Sequence, residues 1–129
     1  MTKVRWNYRA GAALAAVTAL LICWMNLAVG IAGAEDNPVN LSFFGLAAVA
    51  AVGSFAAEFR AKGMARTMYC TAAIQLMLGL IVATGPVALD EPAGPTGLFA
   101  LNAVFALSWI VSGALLAQAA RWDDMAIAY

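Results

Sequence analysis

Three side-chain amides interrupt otherwise apolar stretches of the chain: Asn26, Gln75 and Asn102. An amide carries donors and an acceptor but no charge. In an apolar setting it can bond to a neighbouring helix, or line an uncharged polar path for a solute. Three amides with no charge beside them favour the first use. A second polar group is built from oxygen donors: Glu35, Asp36, Asn37 and Asn40 in one segment, Asp90 and Glu91 in another. Oxygen clusters suit hard cations such as Ca²⁺ or Mg²⁺. Neither segment has EF-hand spacing, so Glu35, Asp36, Asp90 and Glu91 read first as a solvated acidic rim and second as a metal site. Cys23 and Cys70 form no C-x-x-C pair. On helices crossing a membrane they differ in depth by roughly 15 Å. A disulfide needs Cα atoms within about 7 Å, so two free thiols are expected.

Other chemistries are excluded by what is missing. The chain has no His, which removes imidazole as ligand or general base. No nucleophile elbow, phosphate loop or metal-ligand spacing occurs. No catalytic residue and no cofactor is therefore assigned, and an enzyme is not expected. Proton-coupled transport usually needs an ionisable group deep in the bilayer. The nearest is Glu58, which sits beside Arg60 and Lys62 as an interfacial, paired carboxylate. Small multidrug exporters share this size and span count, but carry an acid inside the first span that this chain lacks.

The elements that must position these residues follow from hydropathy. Of 129 residues, 64% are hydrophobic and 11% charged, with a mean hydropathy of +0.85. A soluble domain carries about 25% charged residues. Low polarity and zero net charge also exclude disorder and non-specific nucleic-acid binding. Four apolar runs, at about 10–34, 39–59, 67–87 and 98–120, are each near the roughly 20 residues that cross a hydrocarbon core as a helix. Short joints between them predict antiparallel up-down hairpins in a single domain. Asn37, or alternatively Asn40, suits a helix cap with Pro38 behind it. Gly63 suits a turn or C-cap, and Thr96 an N-cap for the fourth span. Gly85-Pro86 ends or kinks the third.

All seven basic residues, Lys3, Arg5, Arg9, Arg60, Lys62, Arg66 and Arg121, fall on one side of this arrangement, and the acidic loops on the other. The positive-inside rule then puts both termini and the middle loop in the cytoplasm. Trp6, Tyr8, Tyr69 and Trp122 mark the inner interface; Phe43, Phe44 and Phe99 mark the outer one more weakly. Ala32-Gly33-Ala34 imitates a signal-peptidase site, but a run of 25 residues exceeds a usual signal core of about 7–15, so an uncleaved first helix is expected. Small residues at Gly45, Gly53, Ser54, Gly79, Ala83, Ser108, Ser112, Gly113 and Ala117 allow close helix approach.

The run Gly33-x-Glu35-Asp36-Asn37-Pro38-x-Asn40, with Asn26-Leu27-Ala28-Val29-Gly30-Ile31 before it and Gly63-Met64-Ala65-Arg66 later, resembles small bacterial four-span membrane proteins of about this length. That resemblance covers most of the chain. It implies an all-α, integral membrane four-helix bundle in the inner membrane, and carries no activity, ligand or site residue. The reading is a non-enzymatic accessory or scaffold subunit acting through helix packing. Its alternatives are a small transporter or channel subunit using Asn26, Gln75 and Asn102 as an uncharged path, and an outward-facing divalent-cation sensor. Expected partners are the lipid bilayer and either further copies of the chain or a larger membrane complex, with no nucleic acid.

Overall fold

A backbone inside a long apolar run has only itself to hydrogen-bond, and helix is the result. The computed structural model describes residues 2–28, 41–85 and 94–128, with side chains over 5–27, 41–85 and 94–122. These residues form four helices: α1 (Thr2–Ala28), α2 (Leu41–Ala56), α3 (Ala61–Thr84) and α4 (Gly94–Ala128). The protein is an all-α helical bundle. Three segments are long and apolar enough to cross a membrane: Arg5–Leu27, Ala61–Thr84 and Gly94–Trp122. α2 has 16 residues, about 24 Å of helix against a hydrocarbon core of about 30 Å. It stops at Ala56, short of the expected 59. α3 starts earlier than the expected 67, and α4 starts before and runs beyond 98–120. The stretch 29–34 of the expected first span lies outside the described residues.

Two expected caps are corrected. Gly63 is neither turn nor cap, because the α2–α3 turn is made one step earlier. Ala57 N–H bonds Gly53 O at 3.0 Å, Glu58 N–H bonds Phe55 O at 2.9 Å, and Phe59 N–H bonds Ser54 O at 2.9 Å. The last two bonds form a Schellman motif with Glu58 at the left-handed position, φ 55°. Phe59 follows at φ 57°, and its ring meets Phe55 edge-on at 6.2 Å. Two non-glycine residues in this region cost about 1–2 kcal/mol each. The bonds just named offset that strain, and the Tyr8 hydroxyl donates to Phe59 O at 2.6 Å in an exposed position. Gly63 instead sits in the first turn of α3, where a Cβ would lie 2.4 Å from the Ala57 Cβ. It permits a close approach. Thr96 lies inside the first turn of α4, since Gly94 begins that helix at φ +71°. Pro95 occupies the first turn, where its missing N–H costs nothing.

α4 is the hub. It packs along α3 on one side and α1 on the other, while α2 makes smaller contacts with α3 and α1. Every neighbouring pair is antiparallel. Asn7 Nδ2 donates to Gln118 Oε1 at 2.9 Å, Gly11 faces Leu116, Gly113 faces Tyr69, Gly79 faces Asn102, and Gly53 faces Thr67. The start of α1, the α2–α3 turn and the end of α4 therefore share one end of the bundle. Ile22, Phe43, Leu46, Met68, Trp109 and Leu116 fill the core. Phe43 is thus a core residue, not an outer-interface aromatic, because α2 turns that face inward. Outward-facing residues include Trp6, Leu20, Trp24, Leu27, Phe55 and Met77, each more than 60% exposed.

Candidate functional site

The buried stripe of α3 passes through Thr71, Gln75, Gly79 and Val82; that of α4 passes through Leu98, Asn102, Trp109 and Ser112. Positions seven apart on a helix share a face, so Asn102 and Trp109 both point at α3. Gly79 removes the side chain that would hold Asn102 away: a Cβ there would lie 2.6 Å from the Asn102 Cβ. Gln75 Nε2 then donates to Asn102 Oδ1 at 2.6 Å. Trp109 Nε1 donates to Gln75 Oε1 at 3.1 Å. Asn102 Nδ2 donates to Leu98 O at 2.9 Å. Gln75, Asn102 and Trp109 are all fully buried. Every amide nitrogen and oxygen of the pair has a protein partner, which is what burial in an apolar medium demands.

Asn26 is different. It is 2% exposed, and neither Oδ1 nor Nδ2 has a partner among the described residues. The structure thus joins Gln75 to Asn102 and leaves Asn26 out of their network. Glu35, Asp36, Asn37, Asn40, Asp90 and Glu91 lie outside the described residues. Among those described, no three His, Cys, Asp or Glu side chains cluster as metal ligands. Cys23 and Cys70 are free. Glu58 pairs with Arg60 at 3.5 Å, with both side chains well exposed. A solvated pair of that kind contributes little stability.

Other polar contacts fasten α1 to α4. Ser112 Oγ donates to Gly11 O at 2.7 Å, a buried bond between helices distant in sequence. Thr18, Ser54, Thr67 and Thr71 turn their hydroxyls back onto their own helices. A second feature is an apolar groove of about 680 Å³ between α1 and α2. Ala12, Ala16, Ala51, Phe55 and Met68 are among its walls, and Tyr8 and Phe59 also line it. Among the described residues, the only other polar side chain on its walls is Ser54, whose hydroxyl donates to Ala50 O. The groove has room for an alkyl chain and no group that would react with one.

Sequence reasoning identified the amides but not Trp109, Gly11 or the Asn7–Gln118 pair. The seven-residue step from Asn102 to Trp109 was the available signal. Compared with protein families, curated proteins and solved structures, the chain matches none.

Proposed function

We propose that this is an integral membrane protein acting as a non-enzymatic accessory or scaffold subunit through helix packing. The closed hydrogen-bond network of Gln75, Asn102 and Trp109 carries this reading. Amides that line a solute path offer their polar atoms to the solute, whereas each nitrogen and oxygen of Gln75 and Asn102 already has a partner within the protein: one another, Trp109 and Leu98 O. The large apolar residues facing outward would be a severe liability in water and are suited to lipid. Four crossings, with both termini and the α2–α3 turn in the cytoplasm of a bacterial inner membrane, complete the proposal. It draws support from the clustering of basic residues at one end of the bundle and from the Gly33-to-Asn40 loop resemblance.

Pull-down of the full chain in mild detergent with mass spectrometry tests the role. A foreign membrane protein at fixed stoichiometry is expected, and it should stay bound after Gln75→Leu and Asn102→Leu. A pure homo-oligomer that moves a solute across liposomes, and stops when those amides are replaced, would refute it. Sidedness is tested in a variant lacking both native cysteines. Asp36→Cys should react with an impermeant thiol reagent in whole cells, and Lys62→Cys should not.

A further inference from the structure

The end of the bundle that gathers the basic residues holds a second, smaller cavity. It measures about 220 Å³ and lies between α3 and α4. Lys62, Ala65, Arg66 and Tyr69 line it from α3. Their spacing is i, i+3, i+4 and i+7, one face of a helix. Ala117, Ala120 and Arg121 line it from α4 with the spacing i, i+3 and i+4. The two helices thus present the same pattern to one another. Alanines make the floor, and cations and a phenol make the rim. Gly113 gives the phenol room: a Cβ there would lie 3.0 Å from Tyr69 Cε1, so a larger residue would push that ring a few tenths of an ångström off α4. Three of the chain's seven cations converge on this cleft, and no acid is among its lining residues within the described side chains, which end at Trp122, before Asp123 and Asp124. Lys62 and Arg66, four residues apart on one helix, repel each other. An anion between them would turn that repulsion into attraction.

We propose that this cleft holds the phosphate of an anionic phospholipid headgroup. Three cations and a hydroxyl donor match phosphate oxygens, Arg supplying paired donors and Lys a point charge. Trp122, half-buried beside Arg121, has the character of an interfacial aromatic, which sets the cleft at headgroup depth. Basic pockets between membrane helices are a recurrent lipid-recognition form. The proposal depends on the membrane reading and not on the scaffold role.

Native mass spectrometry of the full chain from mixed micelles, with phosphatidylglycerol competing against phosphatidylcholine, tests it. One phosphatidylglycerol per chain should be retained in preference. Lys62→Gln, Arg66→Gln and Arg121→Gln should each weaken that preference about fivefold, the factor that corresponds to roughly 1 kcal/mol per basic residue near an anionic surface. Arg9→Gln, at the same end of the bundle but outside the cleft, should change it little. Equal retention of both lipids would overturn the proposal. So would an Arg9→Gln effect as large as the others, which would mean general surface attraction. A second arm measures melting in phosphatidylcholine nanodiscs. If inorganic phosphate raises the midpoint there and phosphatidylglycerol adds nothing, the source is free phosphate and the proposal falls. Melting of each variant in the same nanodiscs shows that it folds. All three positions are exposed; should one variant nonetheless fail to fold, the remaining two decide. Failure of the wild-type chain to melt cooperatively in any bilayer would count against the membrane reading itself.

Discussion

Replacing Gly79 by alanine separates two effects of opposite sign. In an isolated helix the change stabilises by about 1 kcal/mol, because alanine is the better helix former. In this bundle the new methyl would lie 2.6 Å from the Asn102 Cβ and 3.1 Å from its Cγ. Carbon atoms settle at about 3.5–4.0 Å, so α3 and α4 must part by roughly 1 Å. Overpacking of that size costs about 1–3 kcal/mol. Parting would also stretch the 2.6 Å bond between Gln75 and Asn102 to about 3.6 Å, beyond useful length. An interhelical bond in a membrane is worth about 0.6–1.7 kcal/mol. Subtracting the helix gain leaves Gly79→Ala about 1–3 kcal/mol less stable than wild type. Gly45→Ala is the comparator. Nothing among the described residues lies within 4 Å of its Cβ position, so the helix term acts alone there, and the change should stabilise by up to about 1 kcal/mol. Unfolding in mixed micelles with rising dodecyl sulfate, followed by tryptophan fluorescence, reads the difference, since Trp109 is fully buried. If Gly79→Ala proves as stable as Gly45→Ala, the close α3–α4 contact is wrong.

The same titration serves three further tests. A double-mutant cycle of Gln75→Leu and Asn102→Leu should return a coupling of about 0.6–1.7 kcal/mol, and additive losses would mean that the two amides do not meet. Asn26→Leu should hold or raise stability by about 1 kcal/mol, since it removes a buried polar group whose atoms have no partner among the described residues; a clear loss would reveal one. Tyr8→Phe should cost less than about 1 kcal/mol, because water can replace the hydroxyl at the exposed Phe59 carbonyl. A cost several times larger would show that Phe59 depends on Tyr8 to hold its left-handed backbone.

Much of the helical layout was legible because apolar runs of this length have few alternatives to helix. The antiparallel order followed from short joints. The caps were harder. Gly63 looked like a turn residue because glycine tolerates positive φ, yet Glu58 takes that conformation and Gly63 serves close packing. Positive φ and missing bulk are different uses of the same residue, and sequence does not distinguish them. Thr96 was read as a cap because nothing local forbids it, while Gly94 and Pro95 start the helix first. The amides could be placed inside apolar runs, but which helix each one met depended on the rotation of α3 against α4. The cleft at Lys62, Arg66 and Arg121 escaped because its two halves are far apart in sequence.

The pairing of α1 with α4 bears on how the protein is made. Ser112 and Gln118 reach back more than 100 positions to Gly11 and Asn7. At about 5–20 residues per second, a ribosome needs some 5–20 s to cover that distance. On the proposed membrane reading, α1 resides in lipid during that interval without its final neighbour, with the Gly11 surface that will meet Ser112 and Leu116 left bare. Assembly is then completed only once the last segment has left the insertion machinery, so a chain truncated before α4 should persist as a loose helical intermediate open to quality-control proteases.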